Sequence, residues 1–204
     1  MKRTLKLLLN SLVSIRMRKI VTRESSPFSS FNAELPDVSL RFDKRMIQLS
    51  HVHAFVLGCW ALLNVAMGAI LTFLTYGNVW TLAFYTMNLS WGVINGGAAA
   101  FVYAHTKKSA AKPKTLLRRL DLQRHVEKVL LFNAGLDIAF IVGGWALYQR
   151  ASITDVVYPD LWKGFGTSVL MQGAYLLIQD SIFYYLHLVN SKQAYPVWKR
   201  EMQH

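Results

Sequence analysis

The chain has 204 residues, with 23 Lys and Arg against 11 Asp and Glu, and carries a net charge of +12. Yet 53% of its residues are hydrophobic and its mean hydropathy is +0.25, with the charge and the apolar residues in separate stretches. This pattern points to a one-domain membrane protein and away from a nucleic-acid binder, while the single cysteine, Cys59, excludes a disulfide framework and a cysteine-based zinc site.

Residues 2–20 carry Leu5, Leu8, Leu9, Leu12 and Val13 at helical spacing, with Lys2, Lys6, Arg16 and Arg18 between them. They read as a basic amphipathic helix lying on an anionic membrane surface. A signal peptide does not fit, because the apolar core Leu7–Ile15 is broken by Asn10 and Ser11 and no small-residue cleavage site precedes Arg16. An organellar transit peptide also fits the Arg and Ser bias. Residues 24–37, with Ser25, Ser26, Pro27, Ser29, Ser30 and Pro36, read as a flexible linker. A second helix is expected to start near Asp37 as N-cap and run into the first span. The domain reading is therefore an N-terminal segment and linker (1–37), a transmembrane domain (38–190) and a tail (191–204).

Four apolar stretches reach the ~20 residues a helix needs to cross a bilayer: Ala54–Tyr76, Trp80–Ala104, Val129–Tyr148 and Phe165–His187. Lys107–Lys114 reads as a turn with Pro113, and Thr115–Lys128 as an amphipathic lead-in to the third span. The expected fold is an all-α, four-span antiparallel bundle.

Charge sets the orientation. Ten Lys and Arg precede Ala54, eight lie within 106–128 and three follow Val189, whereas only Arg150 and Lys163 lie on the other side. The positive-inside rule then puts both termini and the middle loop in the cytoplasm, and the aromatic residues Tyr76, Trp80, Tyr148, Tyr158 and Trp162 mark the outer boundary. The basic segments are read as partners of anionic lipid headgroups, not of nucleic acid.

Polar residues at depth carry whatever function can be read. They are Asn64 in the first span, Asn88 and Asn95 in the second, Asn133 and Asp137 in the third, and Gln172, Gln179 and Asp180 in the fourth. Measured from the His near the cytoplasmic end of each helix, Asn133 and Asp180 lie at roughly 10–12 Å and Asn64, Asn95 and Asp137 at roughly 15–18 Å, giving an inner and a midplane layer. Asn133, Asp137 and Gly144 share a stripe, as do Asn88, Trp91 and Asn95. Gly92, Gly96, Ala100 and Ala104 form a small-residue face suited to close helix approach, and Gly164, Gly166 and Gly173 offer the same in the fourth span.

An Asp at a span centre costs about 2.5–3.5 kcal/mol. With no Lys or Arg at that depth, each Asp must be protonated, hydrogen-bonded by Asn or Gln, or bound to a cation. The candidate binding set is Asp137, Asp180, Asn64, Asn88, Asn95, Asn133 and Gln172. Two readings stand: an interhelical hydrogen-bond network that fixes packing, or a site for a proton, cation or polar ligand. His53, His105, His125 and His187, at the cytoplasmic helix ends, are a candidate metal or haem set, without a sharp ligand spacing. No Walker loop, nucleophile elbow or dinucleotide fingerprint is present, so no catalytic residue and no particular cofactor is assigned.

Four segments carry a resemblance: Val56–Asn64 with Trp60-x3-Asn64, Met87–Asn95 with Met-Asn-x2-Trp-x3-Asn, Phe132–Asp137 with Asn-x3-Asp, and Gly164–Asp180 with Gln172-Gly173-Ala174. The chain resembles an uncharacterised family of bacterial four-helix integral membrane proteins, a domain of unknown function, over about residues 45–190. The family often carries an Asn after the second Trp, where this chain has Gly92. The resemblance implies the four-span topology, a bacterial inner-membrane location and the polar stripe, and no activity. The functional expectations are a small transport or ligand-binding protein using the Asn/Asp/Gln seam, an accessory subunit docking a partner helix or a second copy of itself, or a metal- or haem-dependent membrane enzyme.

Overall fold

The computed structural model describes residues 27–75, 77–110 and 114–203. The amphipathic and transit-peptide readings of residues 1–26 fall outside these residues, as do Tyr76 and Pro113. Among the described residues the chain is all-helical: α1 (Pro27–Leu74), α2 (Val79–Ala110), α3 (Leu116–Arg150) and α4 (Pro159–Glu201). A compact unit begins at Leu35.

Four spans are expected, whereas among the described residues two helices, α1 from Asp37 and α3, are long and apolar enough to cross a membrane. Polar and small residues dilute the other two: Asn88, Ser90, Asn95 and three glycines in α2, and Gln172, Gln179, Asp180 and three more glycines in α4.

The helices outrun the apolar stretches. α1 begins at Pro27, inside the segment expected to be a linker, since Pro is well suited to a first helical turn. Asp37 is therefore no N-cap; it sits inside the helix and pairs with Arg41 at 3.1 Å. The amphipathic lead-in is continuous with α3, and its hydroxyl cap is Thr115, which accepts from Arg118 N at 3.3 Å. α4 has 43 residues, roughly 64 Å of helix, about twice a ~30 Å hydrocarbon layer.

Cross-helix contacts fix the directions. On α1, Ser39, His53 and Trp60 meet Trp198, Asp180 and Gln172 of α4, so the two run antiparallel. Gly164 of α4 meets Trp80 of α2, and Gln172 meets Asn88, so α4 and α2 run parallel. One end of the bundle thus carries the C-terminus and the α2–α3 connection; this is the termini end. The hairpin end carries the α1–α2 and α3–α4 connections. The first of these needs Gly77 at φ +103°, and the second places Asp155 and Tyr158 in the left-handed region before Pro159.

Glycines set the spacing. Gly164 lies against Trp80, Ala83 and Phe84 of α2, while Gly166 and Gly173 lie against Gly144 and Tyr148, and Asp137 and Ile141, of α3. A Cβ on Gly144 would stand 2.6 Å from Leu170 N. The small-residue face of α2 is used inside the chain, because Gly92 lies against Val65 and Ala61 of α1. An Asn at position 92 would collide with α1 backbone.

Two clusters form the apolar core. Leu57, Ala99 and Leu176 pack with Trp91 and Tyr175 within the bundle. At the termini end Phe42, Met46, Ala194 and Trp198 pack with Leu116, Leu120 and Val126, without α2. Burial of each such large side chain stabilises by ~1.5–3 kcal/mol. The outward face is also apolar: Phe55, Leu62, Phe73, Phe101, Phe132, Val142 and Ile178 are exposed.

Candidate functional site

The buried polar residues separate into two layers with different hydrogen bonding. The layer nearer the hairpin end is centred on Gln172, which is fully buried. Its Nε2 donates to Asn64 Oδ1 (2.6 Å) and Asn88 Oδ1 (2.9 Å). Its Oε1 accepts from Trp60 Nε1 (2.8 Å) and Asn95 Nδ2 (3.5 Å). Both donors and both lone pairs are thus used. Asn64 and Asn88 return their amide hydrogens to Trp60 O and Phe84 O one turn back, and Ser168 Oγ donates to Asn88 Oδ1. Spacing places the residues: Trp60 and Asn64 on α1, Asn88 and Asn95 on α2, and Ser168 and Gln172 on α4 each share a helix face.

The inner layer is not closed: its His53–Asp180 pair lies about two turns closer to the termini end, while the backbone of its third member, Asp137, stands beside Gly173 at the level of Gln172. Asp180 is 5% exposed and lies 3.1 Å from His53 Nε2 through Oδ1. The His53 ring stacks on Phe183 at 4.5 Å. Asp137 is 3% exposed, and its Oδ2 is buried without a hydrogen-bond partner. The backbone O of Asp137 stands level with Gly173, and helical side chains lean toward their own N-termini. Asp137 therefore leans toward the termini end and Asp180 toward it. Gln179, buried beside Asp180, has neither amide atom partnered. Among the described residues no Lys or Arg pairs with either acid.

One turn beyond Phe183, His187 is 1% exposed with Nδ1 unpartnered. Gln123 of α3 donates to its backbone O at 3.1 Å and to Glu127 Oε1 at 2.7 Å, leaving Gln123 Oε1 without a partner.

The expected site residues divide accordingly. Asn64, Asn88, Asn95 and Gln172 converge on one network, and Asp137 and Asp180 belong to the other layer. Asn133 is only half-buried and takes part in neither. The four histidines do not form one level. His105 and His125 are exposed, and His53 lies two turns deeper than His187, because the α1–α4 register sets it opposite Asp180. Among the described residues no three His, Cys, Asp or Glu side chains gather as a metal site. Asp180 thus has an imidazole partner where Asn, Gln or a cation was expected.

Gln123, Gln179, Trp60 and Ser168 join the site beyond the expected set, and His187, expected as a metal ligand, joins it as a buried imidazole. Two signals in the sequence point to some of them. Gln123, Leu130, Asp137 and Gly144 are buried at seven-residue intervals on α3, and His53, Leu57, Trp60 and Asn64 share one face of α1.

No match to the chain was found among curated proteins or solved structures. A family model described as a family of unknown function, DUF6992, matches residues 56–181, from just inside His53 to just past Asp180. Both polar layers are built largely from these residues, and the chain belongs to that family.

Proposed function

We propose that the chain is a four-span integral membrane protein with both termini cytoplasmic, and that its inner layer binds a proton or small cation. The apolar outward face supports the membrane reading: within the two candidate spans only 28% and 17% of the most apolar window is buried, where a soluble core helix is mostly buried. The Lys and Arg bias supports the orientation, and the family resemblance supports a bacterial inner membrane. α2 and α4, too polar to qualify alone, are the spans that carry the seam.

One observation carries the ligand reading: two buried carboxylates, Asp137 and Asp180, have no Lys or Arg partner among the described residues, and Asp137 Oδ2 and the Gln179 amide have no hydrogen-bond partner. Intramembrane acids in such surroundings are held by a proton or a bound cation. The Gln172 network is complete and is read as structural support. The test is reconstitution of wild type, Asp137→Asn and Asp180→Asn, with the carboxyl infrared bands followed against pH, Na⁺ and K⁺. A titrating or cation-sensitive band should vanish in a variant that remains inserted and monodisperse. Loss of folding in both variants makes the acids structural.

A second reading, an accessory subunit, rests on the open groove between α1 and α2 lined by Phe55, Gly58, Leu62, Val93, Gly96 and Tyr103. Crosslinking in native membranes tests it; a monomer without neighbours sinks it.

A further inference from the structure

Five buried polar atoms without partners follow one another along the bundle axis: Gln123 Oε1, His187 Nδ1, Gln179 Nε2 and Oε1, and Asp137 Oδ2. Their residues are at most 5% exposed. The hydrogen bond from Gln123 to the His187 carbonyl sets the first level. Asp180 and Gln179 lie roughly 10 Å further along α4, and the Asp137 backbone, level with Gly173, roughly 10 Å beyond that. The opposed lean of the α3 and α4 side chains shortens the second gap. Buried polar atoms are rarely left without partners, and water fills such gaps where several polar groups converge.

The row ends abruptly toward the hairpin end. From the level of the Asp137 backbone onward, Asn64, Asn88, Ser168 and Gln172 are hydrogen-bonded to protein, and Asn95 reaches back to Gln172; Thr72 Oγ1, beside the hairpin connection, is a separate buried atom without a partner. Trp60 and Tyr175 stack at 3.9 Å beside them. In the termini half the row meets Glu127, one turn inward of Gln123 on α3, which is only half-buried and accepts from Gln123 at 2.7 Å.

We infer that Glu127, Gln123, His187 and His53 form a hydrated path by which a proton reaches Asp180 and Asp137 from the termini end only, with the Gln172 network as its closed end. This rests on the proton-or-cation reading above and names the proton as the ligand. The groups suit it: imidazole and carboxyl exchange protons, and the Gln amides orient water by donating and accepting. A hydronium at the mouth gives up its proton and remains as water; an O–H bond forms on an Asp carboxylate, and no electron moves. The titratable groups facing the acids are His53 from α1, Glu127 and Asp137 from α3, and His187 and Asp180 from α4. The buried residues of α2, Ala83, Asn88, Gly92, Asn95 and Ala99, include none. His51 faces Tyr103 instead, at 5.1 Å.

The experiment uses the full chain in one orientation in phosphatidylcholine–phosphatidylglycerol vesicles. The pH is stepped on one side at a time, and carboxyl protonation is followed by time-resolved infrared absorption. Acid on the termini side should protonate the Asp band promptly, and acid on the hairpin side no faster than passive leak. Gln123→Leu and His187→Phe should slow the response by about tenfold, equivalent to ~1.4 kcal/mol on the barrier, with the final extent unchanged. A faster response from the hairpin side, or unchanged rates in both variants, overturns the path and leaves the proton reading standing. No protonation from either side overturns both. If His187→Phe does not fold, the two-sided comparison on wild type still decides.

Discussion

His53 Nε2 and Asp180 Oδ1 lie 3.1 Å apart and join the first helix to the last across 127 residues of sequence. Their side chains are 12% and 7% exposed, so water compensates neither well. Removing one partner leaves the other's polar group buried without a hydrogen bond, which costs about 1–3 kcal/mol. His53→Phe should therefore lower stability by roughly 2 kcal/mol, while Phe183 still offers the new ring a stacking surface. Asp180→Asn retains a hydrogen bond and should cost less. In the double variant His53→Phe/Asp180→Leu the loss should be smaller than the sum by ~1–3 kcal/mol. Unfolding in detergent measures all three, and strict additivity shows that the pair does not couple the helices.

Gln172 poses the opposite case. Gln172→Leu strips partners from Asn64 Oδ1 and Trp60 Nε1 and leaves Asn88 Oδ1 only the Ser168 hydroxyl. The cost is at least ~1–2 kcal/mol, taking ~0.6 kcal/mol per interhelical bond in a membrane setting and more where a group stays orphaned. The expected signature is a lower melting temperature with the carboxyl infrared response of the inner layer unchanged. A shifted carboxyl response at full stability makes this layer part of the ligand site.

The glycines separate close approach from chain flexibility. A Cβ on Gly166 would meet Tyr148 N at 2.5 Å and Gly144 O at 2.7 Å, both backbone atoms that cannot swing away. Gly166→Ala should push α3 and α4 apart at a cost of about 1–3 kcal/mol. Gly97 and Gly143 have open space at the same point. There Ala should stabilise by roughly 0.5–1 kcal/mol, because it loses less backbone entropy in a helix. Melting temperatures should move in opposite directions; a loss in all three variants argues for a packing role at the open positions too.

Much of this arrangement is legible in single helices and little of it between them. Asn88 and Asn95, seven residues apart, read correctly as one face, and Gln172 on α4 has enough polar company to imply packing inside a bundle. Register is what single helices hide. Measuring depth from each helix's own histidine assumes that all helices end at one level, and α1 breaks that assumption by running back to Pro27. His53 thus moves from a surface ring to the inner layer beside Asp180. Asn133, a turn from Asp137, shares its stripe by spacing, but at four-residue spacing it falls at the edge of the buried face and is only half-buried. Gln123 lies in the polar lead-in ahead of the apolar stretch of α3, where its depth is hidden, although its fourteen-residue separation from Asp137 keeps it on the Asp137 face.

At the termini end, Asp43 of α1 holds the start of α3. Arg119 reaches it through Nε at 3.1 Å and Nη2 at 3.0 Å, and Lys114 Nζ stands 4.0 Å away. The Arg119 and Asp43 side chains are 18% and 16% exposed, so the pair is only partly screened by salt. The two-point geometry matters as much as the charge, because a lysine cannot reproduce the guanidinium fork. Arg119→Lys should cost ~1 kcal/mol and Asp43→Ala about 2 kcal/mol, the latter leaving two cations beside an apolar core. The effect should also be local. Leu116 and Leu120 pack on the Phe42–Trp198 cluster from the same first turns of α3, so losing the clamp should raise amide hydrogen exchange over residues 116–122 before it changes exchange near Asp137. Exchange that rises uniformly along α3 instead shows that the clamp stabilises the whole bundle and not the start of one helix.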